Sequence, residues 1–177
     1  SSRTSKSSSR KSSPAPIDLA AGRRHHGGMT QPTTSVSDAI DSRRDDLVAL
    51  TADLIRIPTV NPPGTAYREI CEYVEGRLRP RFPEIALIRA EGAIGDIDKY
   101  PRWNLVARRP GKTAGDTVHF NSHHDVVESG RGWTVDPFGG EDQDDKVFGR
   151  GSCDMKGGLA ASIIAAEAFI DTYPDFA

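Results

Sequence analysis

The sequence has no apolar run long enough to cross a bilayer and only two cysteines in 177 residues. A membrane-spanning helix needs about 20 consecutive apolar residues. The longest such stretch, Leu159 to Ile170, is Ala-rich, carries Glu167 and reads as a buried helix. Cys71 and Cys153 lie far apart and do not make a disulfide scaffold, so a reducing, cytoplasmic setting is expected. The net charge of −2 shows no excess of either sign, which argues against a nucleic-acid partner for the body of the protein. No internal repeat is present, and no apolar core of a secretory signal precedes the domain.

Acid is scarce at the N-terminus. Ser1 to Gly28 holds six basic residues and one acidic, Asp18. Residues 1–35 read as a disordered basic tail, or as sequence lying ahead of a start at Met29. A transit peptide would share the Arg/Ser-rich, acid-poor composition. His25-His26 in this tail reads as a solvated pair. Residues 36–177 remain as one domain with room for a core.

Within that domain the apolar spacing of Ile40, Leu47, Leu50, Leu54 and Ile55 predicts a helix over 36–56, capped by Ser37 or Asp38 and ended by Pro58. Pro58 to Gly64 makes a rigid loop. A second helix follows over 67–78. Strand-like runs lie at 85–89, 104–108 and 117–120, the last being the most pronounced, with a short one over 145–148. Glu141 to Asp145 reads as a solvated acidic turn. A final helix is predicted over 156–173. Mixed helices and strands with long crossovers predict an α/β fold, a sheet flanked by helices on both faces.

Three of the five histidines fall between His119 and His124. In extended backbone, residues two apart share a face, so His123 and Asp125 address one point while His124 turns away. Neutral imidazole ligates zinc, and a neighbouring carboxylate fixes its tautomer. Alone, a His-x-Asp pair reads first as a hydrogen-bonded pair at a strand end. The second cluster, Gly149 to Gly158, puts Asp154 among glycines at the mouth of a helix, where negative charge is favoured. Its carboxylate can bridge two cations about 3.5–4 Å apart; equally, it can cap a Gly-rich turn. The loop lacks the spacing of a phosphate-binding P-loop. Cys153 offers a nucleophile or soft ligand, but a buried small side chain is the expectation. Trp133 and Phe138 read as packing groups.

Taken in order, Ser122-His123-His124-Asp125-Val126-Val127, Trp133 to Phe138 and Gly149 to Gly158 resemble the acetylornithine deacetylase / succinyl-diaminopimelate desuccinylase family, which includes aminoacylase-1 and carboxypeptidase G. Pro58 to Gly64 and Asn104 to Ala107 add to the resemblance, which covers 38–177. It implies the N-terminal part of a zinc-peptidase-like catalytic domain, with a mixed sheet flanked by helices. It further implies a hydrolase that cleaves the amide bond of an N-acyl amino acid or peptide-like small molecule. His123 would bind one metal, Asp125 would be the catalytic aspartate behind it, and Asp154 would bridge both metals, with a cis peptide bond after it. The metals would be two Zn2+, with Co2+ or Mn2+ able to occupy similar sites. Members of the family are often homodimers when full length. Ser122 and Glu128 depart from the Gly and Pro common in the family. The family's general base, a Glu-Glu pair and further ligands are expected beyond Ala177. Two other readings stand beside this one: an inactive metal-binding fragment or interaction module of the same family, and an unrelated nucleotide-binding domain.

Overall fold

The computed structural model describes residues 35–176, so the predicted basic tail (all but Ser35), the His25-His26 pair and the start at Met29 lie outside the described residues. Four helices and four strands follow one another: α1 (Val36–Asp41), α2 (Arg44–Arg56), α3 (Tyr67–Leu78), β1 (Glu84–Arg89), β2 (Trp103–Arg108), β3 (Glu141–Gln143), β4 (Lys146–Phe148) and α4 (Gly157–Thr172).

The single helix expected over 36–56 is two. Ser35, not Ser37 or Asp38, caps α1: its hydroxyl accepts from the Asp38 amide and the Asp38 carboxylate accepts from the Ser35 amide, both at 3.1 Å. The break falls at Ser42 and Arg43. Ser42 Oγ donates back to the Ala39 carbonyl at 2.9 Å, a local bond that competes with helix continuation. Arg43 leaves helical geometry and reaches Asp171 on α4.

Helical spacing explains the core. Leu50 and Leu54 of α2, Ile70, Cys71, Val74 and Leu78 of α3, and Ala160, Ile163 and Ile164 of α4 form one buried cluster. Full burial of each Leu or Ile contributes about 1.5–3 kcal/mol. β1 and β2 pair antiparallel in the register Glu84↔Arg108 to Arg89↔Trp103. Strict alternation turns Ile85, Leu87, Leu105 and Ala107 onto the cluster and leaves Ile88 and Val106 exposed.

The α/β class is as expected, and the strands make two separate antiparallel pairs, β1–β2 and β3–β4. Three of the five residues of the predicted acidic turn form strand β3; the turn proper is Asp144-Asp145, both at positive φ (51° and 59°). The run over 117–120 is no strand. Val118 and Phe120 are exposed, at 80% and 52%, and no neighbouring strand pairs with them among the described residues. β propensity makes a strand only where a partner accepts the ladder bonds.

One polar feature is buried in the helical layer. Glu167 of α4 is fully buried and holds Arg77 of α3 through two bonds of 2.8 and 2.6 Å. Arg43 and Arg81 stand 3.6 Å away. A carboxylate at that depth is tolerable only with such partners.

Candidate metal centre

Two loops build the site. Pro58 to Gly64 lies alongside the segment ending in Val126, joined by a parallel bridge in which the Asn61 amide donates to the Val126 carbonyl (2.8 Å) and the Val126 amide to Thr59 (2.9 Å). This stitch holds 123–126 extended without a continuous strand. His123 and Asp125 then share a face, and His124 turns inward, as the two-residue period requires. His124 stacks edge-on against Tyr67, with ring centroids 4.7 Å apart, and its Nε2 lies 3.2 Å from the Trp103 carbonyl. Burial pushes its pKa down, which keeps the ring neutral. His119 is exposed and joins none of these contacts.

The second loop brings Asp154. Gly151, at φ 86°, lets the chain pass against Val126, and Lys156 anchors the far side of the turn. The Lys156 side chain is wholly buried and donates to the carbonyl oxygens of Leu54 (2.7 Å) and Ile57 (2.6 Å), at the end of α2. The residue four beyond Leu54 is Pro58, which has no N–H to offer, and the Ile57 carbonyl, just past the helix, accepts otherwise from the Thr59 amide at 2.9 Å, so the ammonium helps cap the end of α2. Between these anchors residues 152–156 wind irregularly, with Asp154 and Met155 both outside helical geometry and a cis peptide between them. Asp154 is thereby turned out of the helix, its side chain 87% exposed.

The result is a short chain of polar contacts. His123 Nε2 stands 2.9 Å from Asp154 Oδ1. On the opposite side of the ring, Nδ1 lies 3.1 Å from Asp125 Oδ1 and 3.2 Å from the Asp125 carbonyl. Burial works to lower the His123 pKa, but the contacts to Asp154 and Asp125 outweigh it and hold it above the ordinary histidine value. Burial likewise opposes the Asp125 carboxylate, yet the Asn61 amide and the His123 ring keep its pKa low. An Nδ1–H donated to Asp125 leaves the Nε2 lone pair facing the Asp154 carboxylate. Two lone-pair donors converging in this way call for a cation between or beside them, either a proton or a metal ion.

The donor chemistry, one imidazole and one carboxylate, fits zinc, cobalt or manganese. Two donors do not complete a coordination sphere, and no group of three His, Cys, Asp or Glu suited to a metal forms among the described residues. Cys153 departs from expectation: it is exposed rather than buried, because the same outward winding that presents Asp154 carries its neighbour to the surface. Cys71 is the buried cysteine, and burial pushes its thiol pKa up to about 11. Trp133 does serve packing: it lies under the Arg150 guanidinium, 5.4 Å from the ring centroid, and donates to the Ser129 carbonyl at 2.7 Å.

Sequence reasoning passed over three residues here. Asn61 donates from Nδ2 to Asp125 Oδ2 at 2.9 Å, Arg102 donates to Asn61 Oδ1 at 3.0 Å, and Lys156 anchors the turn. Asn61 had a signal, its place in the Pro-rich loop; Arg102 had none.

Residues 119–176 match the model of peptidase family M20/M25/M40. Over 133 residues the chain is 41% identical to a succinyl-diaminopimelate desuccinylase of Cereibacter sphaeroides, covering 73% of this chain and 32% of that protein. It is 36% identical over 132 residues to a protein of the same name from Acinetobacter baumannii, covering 73% and 31%. The chain thus belongs, as a partial chain, to this family of metallopeptidases. It spans about a third of the length of the curated relatives it matches.

Proposed function

We propose that the protein containing this chain is a metal-dependent hydrolase that cleaves the amide bond of an N-acyl amino acid, of the desuccinylase or deacetylase type, and that residues 36–177 are the N-terminal part of its catalytic domain. The observation that carries this reading is the approach of His123 Nε2 to Asp154 Oδ1 at 2.9 Å, with Asp125 behind the ring. The relatives named as desuccinylases favour an acylated amino acid as substrate.

In this reading His123 would hold one metal, and Asp125 fixes the tautomer by accepting the Nδ1 proton. Asp154, whose Oδ1 faces His123, would be the carboxylate that serves both metals. Bound Zn2+, or Co2+ or Mn2+ in its place, supplies Lewis acidity and lowers the pKa of water toward neutrality. The group that would take the proton from water is not among the residues the resemblance matches here. A homodimer of the full-length protein, in a cytoplasmic setting, belongs to the same proposal.

Metal content and amide hydrolysis, measured together on the full-length protein, test it. Wild type is expected to carry about two metals per chain, and His123→Ala and Asp154→Ala each to lose metal and activity. Variants that keep both would make His123 and Asp154 structural and sink the assignment.

A further inference from the structure

Asp125 is held from behind by a relay that reaches two loops away. Its Oδ1 meets His123, and its Oδ2 accepts from Asn61 Nδ2 at 2.9 Å. Asn61 Oδ1 in turn accepts from Arg102 Nη2 at 3.0 Å. The amide orientation follows from chemistry: arginine has only donors, so the Asn61 oxygen must face it, which aims the amide nitrogen at the carboxylate. Both carboxylate oxygens of Asp125 are therefore engaged, and the group cannot rotate away from His123 without breaking a bond.

Arg102 is placed with care for a residue that touches neither His123 nor Asp154. Its guanidinium lies 4.9 Å over the Tyr67 ring, its backbone amide donates to Asp96 Oδ1 at 2.8 Å, and its carbonyl accepts from Ala90 at 2.9 Å. Two glycines at positive φ make room for it: a Cβ on Gly64 would lie 1.9 Å from Nη1, and one on Gly95 2.4 Å from Nη2. Nη1 is buried without a hydrogen-bond partner. Leaving a charged donor unsatisfied costs free energy, and core packing alone does not call for a guanidinium at this point.

We propose that Asn61 and Arg102 are positioning residues that act through Asp125 on the His123 imidazole, setting its tautomer and its strength as a metal ligand; this rests on the metal-binding role proposed for His123. The Asn61 amide, itself held by Arg102, fixes the orientation of the Asp125 carboxylate, which in turn holds Nδ1–H and directs Nε2 outward. Outer partners of this kind typically change metal affinity by about 10- to 100-fold.

The test is Zn2+ affinity of the full-length protein by competition with a chromophoric chelator, with folding checked by circular dichroism. Asn61→Ala and Arg102→Met are expected to weaken Zn2+ binding by about 10-fold or more. Asn61→Asp keeps the shape, turns an oxygen toward Asp125 and is expected to do the same, which covers the case in which the alanine variant fails to fold. In an Asp125→Ala background the Asn61 substitutions should cost nothing further, because the relay has already been cut. Wild-type affinity in the folded Asn61 variants, or losses that add to that of Asp125→Ala, would overturn the relay. If His123→Ala also binds Zn2+ as wild type does, the metal site itself is wrong and the relay falls with it. If His123→Ala alone loses metal, only the relay is wrong.

Discussion

Gly151 stands so close to Val126 that a Cβ on it would lie 2.4 Å from Val126 Cγ1. Val126 directly follows Asp125, and Asp154 is three residues beyond Gly151, so this contact sets the distance between the two halves of the site. Gly151→Ala faces both the clash and a φ of 86°, a conformation that costs about 1–3 kcal/mol for a non-glycine residue. The expected outcome is a loss of stability of that order together with weakened metal binding. Chemical denaturation and metal competition on the same variant check it; unchanged metal affinity would mean that the turn can shift without moving Asp154.

The buried Glu167 carries a second expectation. It is fully buried and engages Arg77 directly, with Arg43 and Arg81 3.6 Å away. Glu167→Gln keeps the volume and removes the charge, leaving Asp46 as the acidic partner of Arg77 and Asp171 as that of Arg43 and Arg81. Breaking a buried pair by removing one partner costs about 3–5 kcal/mol. Equilibrium denaturation should register a loss of that size; a change under about 1 kcal/mol would show that the arginines relax into solvent.

Acid should weaken the same layer. Asp171 accepts from Arg81 at 2.9 and 2.8 Å, and this bond, with that from Arg43, holds its pKa at about 2 against an ordinary 3.8. A carboxylate whose pKa is depressed by folding stabilises the fold above its unfolded value and loses that contribution as pH falls toward its folded value. The window therefore runs from about pH 4 down to pH 2. Its side chain is 38% exposed, so solvent screens part of the effect. Asp171→Asn should flatten the stability–pH curve across that window while leaving the curve's shape near neutrality unaltered. Melting temperature against pH for the two proteins measures this, and an unaltered acid limb would assign the loss to other carboxylates.

Much of the site could be read along the chain because its logic is local. A two-residue period puts His123 and Asp125 on one face whatever the surrounding fold, and glycines around Asp154 announce a tight turn before a helix. Helix α3 and strands β1 and β2 follow from spacing and from Pro and Gly punctuation, and the structure places them within a residue of expectation. The run over 117–120 has the composition of a strand and forms none, because β propensity describes only one side of a pairing. The break between α1 and α2 is not legible in the spacing because part of it, the ion pair of Arg43 with Asp171, answers to a residue far along the chain.

What spacing could not supply was the meeting of parts. His123 and Asp154 are separated by thirty-one positions, and their approach to 2.9 Å depends on Gly151 packing on Val126 and on Lys156 capping α2. Arg102 reaches Asn61 across forty-one positions, through space opened by Gly64 and Gly95. Side-chain identity and short-range geometry belong to the chain itself, since backbone dihedrals and residue chemistry are set within a few residues. Which oxygen faces which nitrogen is decided only when buried contacts between distant segments settle the relative positions of the loops, because hydrogen bonds reward separations correct to a few tenths of an ångström.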